Sequence, residues 1–169
     1  MVNVRRLTGK DARGYHALRQ DARRRPAFPS EATGDGSPEA WLDGLAADPD
    51  YFVLGAFAEG DELVGLASLV RRIHPRWRHR ATLRQIHAAR DSAEDLTSLL
   101  TAAVAVAEGL GGLRQVELVA DRDDSRLLEV ARRAGFEHCD DLSGVVQFDS
   151  RAYDPPVMVL RLGGGAVGR

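Results

Sequence analysis

The chain has 169 residues, 44% of them hydrophobic and 28% charged, with a formal net charge of −2. That length suits one domain with an ordinary core, and that charge excludes a global electrostatic pull toward nucleic acid or anionic lipid. Cys139 is the only cysteine, which excludes an internal disulfide and a cysteine metal cluster.

Val2 to Leu7 alternates enough for a first strand. Thr8 with Asp11 forms a capping-box pattern, so a helix starts there. Ala12, Tyr15, Leu18 and Ala22 recur at helical spacing, and Arg23 to Arg25 end that helix with positive charge. Pro26, Pro29 and Gly34 to Ser37 mark a loop. Ser37 followed by Pro38 predicts a second helix, with Trp41, Leu42 and Leu45 as its apolar stripe. Tyr51 to Ala58 and Leu63 to Val70 read as strands joined by the hairpin turn Glu59-Gly60-Asp61-Glu62. His74 to His79 is a basic connection, and Thr82 to Ala88 a fourth strand.

Leu96, Leu99, Leu100, Ala103, Val104, Ala107 and Leu110 mark a long helix facing a sheet, ended by Gly109, Gly111 and Gly112. The run Leu99 to Ala107 is broken by Thr101 and is too short to cross a bilayer. Leu113 to Val119 is the next strand. Asp124 or Ser125 caps a short helix through Ala134, and Gly135 stops it. Val145 to Phe148 and Val157 to Leu162 are expected to close the sheet as an antiparallel pair, with Pro155 and Pro156 at a strand start. Gly163 to Arg169 is expected to fray. The opening MVNVRR has no apolar signal core, so a cytoplasmic protein is expected.

The order β-α-α-β-β-β-α-β-α-β-β, with Gly135-Phe136 after the last helix, resembles the GNAT superfamily of N-acetyltransferases. VRRLTGKDARGYHALRQDA is similar to that family's first strand and helix, and HRATLRQI to the strand entering its coenzyme loop. RRAGFEH is similar to the helix end and following turn, and RAYDPPVMVLRL to its YYDxxLMxL closing strand. The resemblance implies an α+β protein of α/β/α architecture. Its mixed, mostly antiparallel seven-stranded sheet would be splayed at two central parallel strands and flanked by four helices. The domain would be residues 1–162 and the tail 163–169. The implied activity is transfer of an acetyl group from acetyl-CoA to a small-molecule amine. The implied coenzyme positions are Ile86, Ala88, Ser92, Ala93, Glu94, Asp95 and Leu96 around the loop, with Asp124 at the next helix. A small-molecule substrate and a homodimer are the implied partners; neither nucleic acid nor membrane is expected.

Two features depart from the family pattern. Its coenzyme loop, Q/R-x-x-G-x-G/A, uses glycines so that backbone N–H groups reach the diphosphate at a helix N-terminus. Ala89 to Leu96 has no glycine and is shorter, and Glu94 and Asp95 stand where phosphates would lie. Carboxylates in a first helical turn satisfy the dipole themselves and repel phosphate by about 4 kcal/mol at about 4 Å and ε ≈ 20. Asp121, Asp123 and Asp124 add negative charge nearby; Arg90, Arg122 and Arg126 offset part of it. Second, the tyrosine that commonly protonates the leaving thiolate in the family aligns with Ala131, which transfers no proton. A GNAT-fold protein that has lost coenzyme A, using its cleft for another molecule or serving as a partner subunit, is therefore the rival expectation.

The remaining candidates for chemistry are His87, ending the strand before the loop; Glu31, in the Pro-rich loop; and Tyr153, near the closing strand. His87 with Asp91 and Glu94 does not have recognised metal-ligand spacing, so no metal is expected. No Ser-His-Asp signature, P-loop or HExxH motif is present.

Overall fold

The first four strands form an antiparallel meander: β1 (Asn3–Arg6), β2 (Tyr51–Phe57), β3 (Leu63–Arg71) and β4 (Arg80–Ala88). The structure is a computed structural model and describes residues 2–22, 37–89, 92–141, 146–148, 151–153 and 155–163. β5 (Gln115–Val119) lies parallel to β4, and β9 (Pro156–Arg161) and β6 (Glu137–Asp141) complete the sheet in the order β1-β2-β3-β4-β5-β9-β6. The expected seven-stranded, mostly antiparallel sheet with one parallel pair at its centre is present.

The hairpin turn follows the sequence. Gly60 and Asp61 both take positive φ, 80° and 62°, and the N–H of Ala58 donates to the carbonyl of Glu62 at 2.9 Å. One face of the sheet carries α1 (Ala12–Ala22) and α2 (Pro38–Ala47). Tyr15, Leu18 and Leu42 pack there on Val53, Phe57 and Leu66. Asp11 accepts the N–H of Thr8 at 2.9 Å ahead of α1, and Ser37 accepts the N–H of Ala40 at 3.2 Å at the start of α2. The tilted ring pair Tyr15–Trp41, 5.5 Å between centroids, ties the two helices together.

The other face carries α3 (Ala93–Gly109) and α4 (Ser125–Arg133). Leu96, Leu99, Leu100, Ala103 and Ala107 are buried, following the expected apolar spacing. Gly65 lets α3 lie close to β3, since a Cβ there would stand 3.0 Å from Leu99 Cδ1. Gly135, at φ 89°, ends α4 in the left-handed conformation that glycine tolerates. Two helices on each face give the expected α/β/α layering.

The closing pair differs from expectation. Val146–Phe148 is a strand, β7, but it pairs with β8 (Arg151–Tyr153) in a separate two-stranded sheet. The antiparallel partners of β9 are β5 and β6. The sequence EHCDD of β6 carries no apolar alternation because Glu137, His138 and Cys139 are exposed on an edge strand. The expectations for Arg23 to Arg25, for the loop from Pro26 to Gly36 and for the tail from Gly164 lie outside the described residues.

Candidate functional site

β4 and β5 part company half-way. Their parallel register runs from Arg80–Gln115 to Leu83–Leu118 and stops, while β4 continues to Ala88. Beyond that point each strand follows its other neighbour. His87 and Ala88 pair with Leu66 and Gly65 of β3, and the N–H of Ala89 donates to Val64 at 2.8 Å. Val119 pairs with Val157 of β9, and Ala120 donates to Pro156 at 3.2 Å. The result is the expected splay, opening at the carboxyl ends of two central strands, where open α/β sheets place ligands.

A bulge sits on β4 at the point of parting. The register with β3 shifts between Leu66–His87 and Ser68–Arg84, and Gln85 takes φ 57°. A left-handed non-glycine residue costs about 1–3 kcal/mol and persists only where its surroundings enforce it. Here a hydrogen bond helps: the hydroxyl of Ser68 donates to Oε1 of Gln85 at 2.9 Å, and both residues are buried. Nε2 of Gln85, a residue only 2% exposed, finds no hydrogen-bond partner among the described residues.

His87 lies beside Leu66 in this register, which places it on the α1/α2 face with Ser68 and Arg84. It is 3% exposed. The guanidinium of Arg84 stands 5.8 Å from the ring centre of Tyr51. Ser68 and Gln85 were not singled out by sequence. Their only signal is a polar residue inside the apolar run GLASLV and another beside His87 in RQIH; the bulge that joins them depends on the register between two strands.

The start of α3 is built differently. Only residues 89–92 separate β4 from α3. Ser92 caps the helix, its hydroxyl accepting the N–H of Asp95 at 3.1 Å. The cap is a serine hydroxyl, and the expected first-turn acids, Glu94 and Asp95, follow it at the second and third helical positions. Asp95 is 6% exposed at the third helical position, and Glu94 is exposed. Glu94, Asp95 and Ser92 share the lining of a cavity of about 430 Å³ with Glu59, Glu62, Val2 and Ala58. Four carboxylates and no basic side chain line it among the described residues.

The other expected coenzyme positions scatter. Ile86, Ala88 and Leu96 are buried in the core between the sheet and α3/α4, while Ala93 is exposed at the first position of α3. Asp124 caps α4, accepting the N–H of Leu127 at 3.0 Å, and Ala131 is buried in the same core. Tyr153 ends β8, and its side chain lies outside the described residues, as do Glu31, Arg90 and Asp91. Among the described residues no group of three His, Cys, Asp or Glu side chains is placed to hold a metal ion. No helix there is long and apolar enough to cross a membrane.

No protein-family model matches the chain, and no curated protein is similar to it in sequence. Solved structures are similar in fold. One is a GNAT superfamily phosphinothricin acetyltransferase from Sinorhizobium meliloti in complex with AcCoA: TM-score 0.81 and 19% identity, covering 99% of this chain and 92% of that one. A second is a GNAT-family acetyltransferase from Streptococcus pneumoniae, with TM-score 0.76 and 18% identity over 96% of this chain and all of that one. A third is a ribosomal-protein-alanine N-acetyltransferase from Brucella melitensis, with TM-score 0.73 and 23% identity over 95% and 99% of the two chains. This chain has the GNAT acetyltransferase fold.

A GNAT-type coenzyme A site needs two things of this chain: parted strands for the acyl-bearing arm, and bare N–H groups for the diphosphate at the start of α3. The first is present. Among the described residues the second is not met, because Ser92 takes one first-turn N–H and Glu59, Glu62, Glu94 and Asp95 line the cavity at the start of α3. The residues present do not fit a diphosphate there.

Proposed function

We propose that this GNAT-fold chain transfers an acyl group to a small-molecule amine at the splay, and that it does so without seating a nucleotide diphosphate at α3. The observation that carries the proposal is the parting of β4 and β5 after Leu83–Leu118, with a buried, bulged Gln85 at its root. The proposed groups for the chemistry are His87 on the α1/α2 face, with Glu31 and Tyr153. Acetyl-CoA is the donor the fold likeness favours, since one neighbour is described as an acetyltransferase in complex with AcCoA.

The experiment compares two donors that share an acyl-thioester arm, acetyl-CoA and S-acetylpantetheine, with a panel of small amines. The proposal expects turnover with both and similar kcat/KM, because the diphosphate adds nothing at α3. A preference of a hundredfold or more for acetyl-CoA would overturn the statement about α3.

A second reading is favoured by the acidic lining itself: a GNAT-fold protein that has lost coenzyme A and uses the cleft for another small molecule. It predicts no turnover and no rise in melting temperature with either thioester. Binding at 100 times Kd would add about 2.7 kcal/mol to stability, so an unchanged midpoint decides for this reading.

A further inference from the structure

The two ends of the sheet carry opposite chemistry. At one end lies the cavity at the start of α3, lined among the described residues by Glu59, Glu62, Glu94 and Asp95 with Ser92, Val2 and Ala58. At the other end the β3–β4 connection, residues 72–79, carries Arg72, Arg76 and Arg78 and no acid. It also holds the two exposed large hydrophobic residues of the described chain, Ile73 at 81% and Trp77 at 55%.

The connection is held in shape. Pro75–Trp77 forms a 3-10 turn whose start is capped by His74, Nδ1 accepting the N–H of Arg76 at 3.3 Å, and the rings of His74 and Trp77 lie 5.7 Å apart. Arg71 Nε donates to the carbonyl of Arg78 at 2.7 Å, the N–H of Arg72 to that of Arg80 at 3.0 Å, and Arg78 pairs with Asp50 at 2.9 Å. Arg76 enters no ion pair among the described residues. A preorganised aromatic and an unspent arginine on a shaped loop are the usual anchors of a protein contact.

We propose that this loop seats in the acidic cavity of a second copy of the chain, head to tail. Arg76 meets the carboxylates of Glu59 and Glu62, and Trp77 and Ile73 meet Val2 and Ala58. Nine-residue β3 separates the two ends by about 30 Å at about 3.3 Å per residue, so a molecule cannot fill its own cavity. The contact is heterologous and therefore builds a ring or an open array. It goes beyond the acyl-transfer proposal and gives the acids at α3 a protein partner.

The test is sedimentation of the full chain across concentration at low and high salt, with Trp77 fluorescence as a second readout. The proposal expects concentration-dependent association that weakens with salt. Trp77→Ala or Arg76→Glu weakens it at least tenfold, and so does Glu62→Arg, at the opposite end. Mixing the Arg76→Glu and Glu62→Arg proteins restores association, because each supplies the end the other lacks. A monomer at every concentration, or association untouched by these exposed changes, overturns the proposal. So does a monomer whose loop binds a single-stranded oligonucleotide through Trp77 and Arg76, which assigns the loop to nucleic acid instead.

Discussion

The splay and the start of α3 are neighbours in the chain, yet they are made by different means. The splay is a product of the whole sheet: β4 leans to β3 and β5 to β9, and the gap between them is held by backbone hydrogen bonds on both outer sides. The start of α3 is a local matter of one serine cap, two first-turn acids and a facing hairpin. The fold that produces the first survives wide change in sequence, as the GNAT structures at 18–23% identity indicate. The second can be rewritten by a few residues. We propose that this chain keeps the cleft and lacks the phosphate seat.

Breaking the splay costs more than breaking the cap. Leu83 is fully buried where the parallel pairing ends. Leu83→Ala is expected to destabilise by about 3 kcal/mol, the range for a buried leucine truncated in a core, measured by urea unfolding. Ser68→Ala leaves Oε1 of the buried Gln85 without its donor and is expected to cost about 2 kcal/mol. The same substitution should lower acyl transfer, if the bulge orders the splay, while a distant core change of equal cost should not. At α3 itself, Ser92→Ala removes a single cap bond and is expected to cost about 1 kcal/mol; a loss above about 3 kcal/mol would mean that this region also depends on the wider sheet.

The smallest effect lies away from both regions and shows how a well-paired acid behaves in this fold. The carboxyl of Asp11 is held below the ordinary aspartate range, first by hydrogen bonds from Arg5 at 2.8 Å, then by the N–H of Thr8, against the opposing cost of burial. A carboxyl whose folded value is lowered stabilises the fold above the unfolded value, and that contribution is lost as pH falls through the folded one. Asp11→Asn is thus expected to cost up to about 1 kcal/mol at neutral pH, since Arg5 is partly exposed and solvent screens the pair. The difference from the native chain should vanish in acid; a gap independent of pH would contradict the assignment.

Much of this was legible in the residues because it is local. Ser37-Pro38 named the start of α2, Gly60-Asp61 the hairpin, Gly135 the end of α4, and Glu94 with Asp95 the charge at α3. The edge strand Glu137–Asp141 was not legible, because a strand exposed on its outer side needs no apolar alternation. The expectation that Val145 to Phe148 joins the main sheet fails because apolarity marks a strand without naming its partner, and Val146–Phe148 pairs with β8. Gln85 was hidden for a similar reason: its positive φ and its bond to Ser68 arise from a register shift between strands distant in the chain. The sequence places His87 near a strand end, but its burial and its face are visible only from the pairing with Leu66.

The central claim is that carboxylates, and not the shape of the cleft, keep a diphosphate from the start of α3. The most direct measurement is calorimetric titration of acetyl-CoA into the native chain and into the Glu94→Gln, Asp95→Asn variant at low salt. The account predicts an affinity gain of tenfold or more in the variant, toward the roughly thousandfold that about 4 kcal/mol of repulsion represents, and a gain that shrinks as salt rises. Tight binding of acetyl-CoA by the native chain, unchanged in the variant, would contradict it.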